Sequence, residues 1–191
     1  MRSSVVALAA AALLSAGLVQ AQSASYAIDP THTFATFEIS HFGASVNRAR
    51  FDKKTGSVTF DKAGKTGKVD ISIDASSVNS GTAAFDKHLQ SADLFDVAKH
   101  PTINFSGDKF TFDGDKVTAV AGNLTLLGKT APVTLKANQF ACYQSPMLKR
   151  EVCGGDFEAT IDRSVFGMNY GIDWGFPKNV RIVVQVEAVK Q

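Results

Sequence analysis

Residues 35–41 read Ala-Thr-Phe-Glu-Ile-Ser-His, and their alternation decides the fold class. Ala35, Phe37, Ile39 and His41 fall on one face, with Thr36, Glu38 and Ser40 on the other. That period of two marks a half-buried β-strand. Outward from this segment the pattern returns many times. Val69, Ile71 and Ile73 alternate with Asp70, Ser72 and Asp74, and Ile103 and Phe105 with Asn104 and Ser106. Leu124 and Leu126 alternate with Asn123 and Thr125, and Val133 and Leu135 with Thr134 and Lys136. Phe157, Ala159 and Ile161 oppose Glu158, Thr160 and Asp162, and a last run sets Val180, Ile182, Val184 and Val186 against Arg181, Gln185 and Glu187. Val58 with Phe60, and Phe110 with Phe112, supply two shorter strands. Gly64 with Gly67, Asp113-Gly114-Asp115, Gly128-Lys129-Thr130 and Gly154-Gly155 provide turn chemistry between the runs. One segment, residues 85–97, has apolar residues at Leu89, Leu94 and Phe95 and no β-branched run, and predicts a short helix or two, closed by His100-Pro101. Such a series of short one-sided strands forms a sandwich or a closed barrel, and periodicity does not choose between them.

The N-terminus carries Arg2 and then an uninterrupted small and apolar run over residues 5–19, ending at Val19-Gln20-Ala21. The run is shorter than the ~20 residues of a membrane span and ends in a small-residue cleavage pattern, which predicts a secretory signal peptide over residues 1–21. Residues 22–191 are then one exported domain, the length at which a single core is full-sized. The whole chain of 191 residues balances 20 Lys and Arg against 18 Asp and Glu. So even a balance argues against a nucleic-acid partner. The two cysteines, Cys142 and Cys153, predict a disulfide clipping one hairpin in an oxidising compartment, worth roughly 3 kcal/mol in the chain-entropy model. A redox pair would sit closer, in a CxxC arrangement.

Catalytic and metal chemistry fail on physical counts. In extended chain His32 and His41 would stand about 30 Å apart on opposite faces, so no metal site is expected. His88 and His100 flank the helical segment with no third ligand nearby. No nucleophile elbow, phosphate loop or dinucleotide fingerprint occurs. No enzyme activity and no cofactor are expected.

Four stretches carry a family resemblance. Asp29-Pro-Thr-His32 leads into a strand ending Ile39-Ser-His41-Phe-Gly43. DKHLQSADLFDVAKHPTINF follows over residues 86–105, GNLTLLGKTAPVTL over residues 122–135, and Arg163-Ser-Val-Phe-Gly-Met168 near the end. Together they resemble the YceI-like family of periplasmic proteins over nearly the whole mature chain. The Cys142–Cys153 segment, and Lys178-Asn179 where Gly-Asp is expected, depart from its general pattern.

The resemblance implies an all-β, eight-stranded antiparallel lipocalin-like barrel with a short helical insert. It also implies an apolar interior holding a long isoprenoid lipid, a polyprenyl phosphate or an isoprenoid quinone, for transport, storage or scavenging. A packed-core barrel that binds a protein partner in envelope stress is the alternative. The inward faces then nominate wall residues: Phe37, Ile39, Ile71, Ile73, Phe105, Leu126, Val133, Phe157, Ile182 and Val184. Residues 166–176, with Met168, Tyr170, Trp174 and Phe176 among glycines, are expected to close over the ligand. His41, Arg48, Arg50 and Arg163 are the candidate donors to its polar end. The remaining expectations are transient membrane contact, a periplasmic location, and a monomer or homodimer.

Overall fold

The alternating runs become strands of one sheet that returns to its own first edge. The computed structural model describes residues 23–191. In chain order the strands are β1 (Ala24–Ile28), β2 (Phe34–His41), β3 (Ser45–Phe51), β4 (Lys54–Asp61), β5 (Thr66–Asp74) and β6 (Val78–Asn79). After a helix, α1 (Ala83–Leu89), come β7 (Thr102–Asp113), β8 (Lys116–Leu126), β9 (Lys129–Gln144), β10 (Glu151–Asp162) and β11 (Asn179–Lys190). Eight of them close a ring in the order β1-β4-β5-β7-β8-β9-β10-β11, and β11 returns to β1 through the antiparallel pairs Tyr26–Lys190 and Ile28–Ala188. That last pairing makes a barrel and rules out the sandwich. The signal-peptide reading of residues 1–21 lies outside the described residues. Among those described, no helix is long and apolar enough to cross a membrane.

Two wall strands are bent in the middle. β11 pairs with β1 near its end and with β2 through Arg181–Gln185, so β1 and β2 are halves of one strand broken at residues 29–33. On their far side β3 and β4 form a second such pair, broken at residues 52–53. The first break is held by a local knot in which Asp29 accepts from the Thr31 amide at 2.8 Å and pairs with His32 Nδ1 at 2.8 Å. The contact with His32, and after it a bond from the Thr31 hydroxyl at 2.6 Å, hold the Asp29 carboxyl down at about 2, and Asp29 in turn raises the His32 pKa.

Three long strands keep one face inward although their apolar parity changes along the chain. In β7 the inward residues pass from odd (Ile103, Phe105) to even (Phe110), and the ladder skips Asp108 between Gly107 and Lys109. β8 skips Thr118 opposite Thr111 and Phe112, turning Val117 inward beside Val120. β9 skips Asn138, so that Val133 and Leu135 share a face with Phe140. Each skipped residue is a β-bulge, which re-aims every side chain beyond it. Thus Phe110 and Phe112 belong to the same strand as Ile103 and Phe105, not to a separate one. Gly154-Gly155 likewise is no turn. Both residues lie inside β10, where a Cβ would collide with the carbonyl oxygens of Val186 and Gln139 on the two flanking strands.

The helical segment is shorter than residues 85–97 suggested: α1 ends at Leu89 and hydrogen-bonded turns continue to His100. Asp86 reaches back to accept from the Ser80 amide and hydroxyl, both at 2.6 Å, and so fixes the entry to α1. Leu89 and Phe95 drop from this insert into one end of the barrel. There the Phe95 ring meets Phe51 at 5.3 Å and Phe37 at 5.6 Å. A second aromatic group, Phe60 with Phe112 at 5.8 Å and Phe140 at 5.7 Å, fills the opposite end.

Candidate ligand-binding cavity

Between these two aromatic ends the barrel encloses a cavity of about 500 Å³ with an almost wholly apolar wall. Ligand pockets typically span ~300–1,000 Å³. Every wall residue nominated from the sequence faces it. β2 contributes Phe37 and Ile39, β5 Ile71 and Ile73, and β7 Phe105. Leu126 comes from β8, Val133 from β9, Phe157 from β10, and Ile182 and Val184 from β11. At the mouth stand His41, Arg163, Met168, Tyr170 and Trp174. The deep end adds residues that the sequence reading did not nominate: Tyr26, Phe60, Val117 and Phe140. Bulges hid two of these four, Val117 and Phe140, because strict parity read past a skipped residue aims the wrong way.

The donors sort differently from the sequence expectation. Arg48 and Arg50 face outward, because Ala49 and Phe51 hold the inward positions of β3. Arg48 Nε donates to Glu38 at 2.9 Å and Arg50 Nε to Asp52 at 2.8 Å, and neither residue reaches the cavity. Arg163 does line it, but its guanidinium is occupied. Nε donates to the Pro177 carbonyl at 3.0 Å, while Nη1 donates to the Met168 and Tyr170 carbonyls at 3.0 and 2.8 Å. Burial lowers its pKa. Arg163 is therefore the hub of the segment over residues 167–177. That segment also needs left-handed backbone at Gly167, Gly171 and Gly175 (φ 86°, 76° and 97°), which a side chain would resist.

A second cation, Lys54, lines the cavity without having been nominated. It is only 6% exposed and sits where the ladder between the bent strands is interrupted. Its Nζ lies 4.4 Å from the centre of the Phe34 ring and donates to the Asp52 carbonyl at 3.3 Å. Burial lowers its pKa, and the ring face offsets part of that loss of hydration. The side chain plugs a slot in the wall, a role no periodicity announces.

At the mouth, α1 meets the Arg163-centred segment. The His88 and Tyr170 rings stand edge to face at 5.0 Å, and Tyr170 packs on Trp174 at 5.2 Å. His88 Nε2 is buried with no hydrogen-bond partner, the single such side-chain atom found among the described residues. Across the opening, His41 and Phe42 pack against Phe176 at 5.3 and 4.6 Å.

At the closed end Tyr26 donates to Glu151 at 2.6 Å, and Lys62 pairs with the same carboxylate at 2.9 Å. Burial raises the Tyr26 pKa, while the hydrogen bonds from Tyr26 and Lys62 lower that of Glu151. The expected disulfide joins Cys142 and Cys153, directly opposed on β9 and β10. Glu151 and these two cysteines also form a group of potential metal ligands, but both sulfurs are spent in the bridge.

A closed antiparallel barrel around an elongated apolar cavity, capped by a helical insert and a glycine-rich flap, defines a lipocalin-shaped protein. Comparison places it more narrowly. The model of the YceI-like domain matches residues 26–188. The UPF0312 protein PA0423 of Pseudomonas aeruginosa is 36% identical over 184 residues, covering 94% of this chain and 93% of its own. Protein YceI of Escherichia coli O157:H7 is 35% identical over 196 residues, covering both chains fully. The chain belongs to the YceI-like family. Among solved structures, Campylobacter jejuni YceI superposes with a TM-score of 0.66 at 24% identity, covering 80% of this chain and 90% of that one. A polyisoprenoid-binding domain from Saccharophagus degradans, implicated in plant cell wall breakdown, shares the fold with a TM-score of 0.61 at 16% identity, covering 88% and 99%.

Proposed function

We propose that this protein is a periplasmic carrier, not an enzyme, and that it holds one long isoprenoid lipid with its chain along the barrel. The observation that carries the reading is the cavity itself: about 500 Å³ bounded by apolar side chains from all eight barrel strands. A core evolved only for stability is close-packed. The apolar run over residues 5–19 supports export, and the fold shared with a polyisoprenoid-binding domain supports the ligand class. Burying a methylene is worth ~0.8 kcal/mol, so each five-carbon unit returns about 3–4 kcal/mol. Micromolar affinity needs ~8 kcal/mol beyond association costs of similar size, which four or five buried units supply. At the deep end the Tyr26 hydroxyl is already taken up by Glu151, whereas the mouth presents polar groups with room for a ligand. His41, Tyr170 and His88, whose Nε2 makes no hydrogen bond and lies 3.8 Å from an Asp93 carboxylate oxygen, stand at the mouth, so the head of the lipid lies there and its tail runs toward Phe60 and Phe140.

The test is extraction and mass spectrometry of lipid from protein purified from its own cell, with Ile71→Trp and Ser72→Trp variants alongside. Ile71 faces the cavity from mid-strand, opposite Gly56 and Phe105. Its indole replacement takes space from the lipid, so that variant folds, comes out empty and melts with stripped wild type. Ser72→Trp, facing outward, keeps its lipid. Wild type purified without lipid, with Ile71→Trp destabilised by the ~1–3 kcal/mol of an overpacked core, overturns the reading.

A further inference from the structure

Three large apolar side chains stand exposed at the open end of the barrel: Phe42 at 57%, Val46 at 41% and Trp174 at 65%. Trp174 also lines the cavity, so one apolar side chain belongs both to the outer rim and to the interior. Phe42 occupies an unusual place. The turn between β2 and β3 is closed by the Ala44 amide donating to the His41 carbonyl at 3.0 Å, with positive φ at Phe42 (53°) and Gly43 (75°). That geometry favours Asn, Asp or Gly at the first position, and a phenylalanine there is held against local preference. Its ring is held by Phe176 and His41 yet remains more than half exposed. Local rules are broken in this way mainly where function requires it.

Cations ring the same end. Lys87 adjoins His88 on α1, Lys178 follows the Phe176-Pro177 pair, and the Lys129 amine lies beside Gly167. All three are exposed, and none forms a salt bridge among the described residues. Exposed aromatic rings flanked by lysines match the interface of a phospholipid bilayer, where rings sit at headgroup level and ammonium groups meet phosphate.

We propose that the rim formed by Phe42, Val46 and Trp174 docks on the surface of a lipid bilayer, and that cargo passes between membrane and cavity while the two are in contact. The proposal rests on the carrier reading, because a lipid cargo gives the mouth a reason to meet a membrane. Passage through water would expose every buried methylene of the tail, and contact avoids that barrier.

Trp174 is the chain's one tryptophan, so its fluorescence reports the docking directly. The protein is titrated with phosphatidylcholine vesicles containing phosphatidylglycerol, and transfer of its lipid to acceptor vesicles is timed. Trp174 emission is expected to shift to the blue, and the transfer rate to rise in proportion to vesicle concentration. The double variant Phe42→Ser, Val46→Ser is expected to keep its co-purifying lipid but bind vesicles about tenfold more weakly or worse, and to transfer more slowly. Met147→Ser with Leu148→Ser, at the exposed tip of the β9–β10 hairpin, is expected to match wild type. Unchanged Trp174 emission, or a transfer rate independent of vesicle concentration, overturns the proposal even when lipid co-purifies. So does loss of vesicle binding in the hairpin variant alone, which would move the docking surface elsewhere. Docking by a protein that never carries lipid refutes the carrier reading instead.

Discussion

Replacing Arg163 with methionine isolates what its guanidinium does, because methionine keeps most of the buried stem and removes the charge and its donors. Three backbone carbonyls, of Met168, Tyr170 and Pro177, lose a partner at once. Hydrogen bonds from a charged donor are worth ~1.5–3 kcal/mol each, and a buried acceptor left unpaired costs ~1–3 kcal/mol. Only the bond to Met168 is fully buried, so the other two carbonyls recover part of their loss through water. The desolvation of the guanidinium, which lowers the Arg163 pKa, is also relieved. The net cost is then ~3 kcal/mol, large against a typical total of ~5–15 kcal/mol but not enough to unfold the domain. Urea titration should show the midpoint moving down with the slope unchanged. Hydrogen exchange should quicken at the amides of residues 167–176 while those of β8 keep their protection. Arg163→Lys should restore less than half the loss, since an ammonium does not present the planar fork that spans three carbonyls. A change below ~1 kcal/mol, with exchange in the flap unaltered, would refute the idea that Arg163 is the hub of the mouth.

Removing the bridge with Cys142→Ser and Cys153→Ser should cost ~2–3 kcal/mol in urea titration, because it closes only a short hairpin loop. Tyr26→Phe should lower stability by ~1–2 kcal/mol while Glu151 keeps its Lys62 partner, and strict additivity of its effect with that of Glu151→Gln would argue against the assigned bond. In Asp29→Asn, proton NMR should find the His32 pKa fallen toward 6.5. In the wild type the stabilisation from this pair is present in full below the unfolded His pKa and fades as pH rises through the raised folded value. At the acid end it is lost as pH falls through the Asp29 value of about 2.

Strand faces such as Phe37-Ile39 or Ile182-Val184 were legible because burial on one side writes itself as alternation. Bulges were not, since one skipped residue at Asp108, Thr118 or Asn138 leaves the composition untouched and reverses the reading beyond it. Arg163 was nominated as a donor to the ligand's polar end, but its partners are carbonyl oxygens, which every residue carries and no sequence motif distinguishes. Lys54 was not nominated at all, because its place depends on two strand breaks, at residues 29–33 and 52–53, meeting side by side. The lack of a hydrogen bond at His88 Nε2 is a property of what surrounds it, and the sequence records only the imidazole. Resemblance to the family supplied the closure of the barrel, which periodicity left open.

The pairing of Tyr26 with Lys190 and Ala27 with Val189 joins the first strand to the last. Every other seam of the ring joins strands much nearer in sequence. Closure is thus the contact of highest contact order, and its entropy must be lost before it returns any stabilisation. A chain emerging from its N-terminus cannot complete the ring until β11 is present. Until then the sheet is an open trough, with its phenylalanine-rich face wet and the β10 edge unpaired. Folding rate and aggregation during synthesis should accordingly be governed by β11 more than by any residue of the cavity. Truncation of the last few residues would act on kinetics out of proportion to the area they bury.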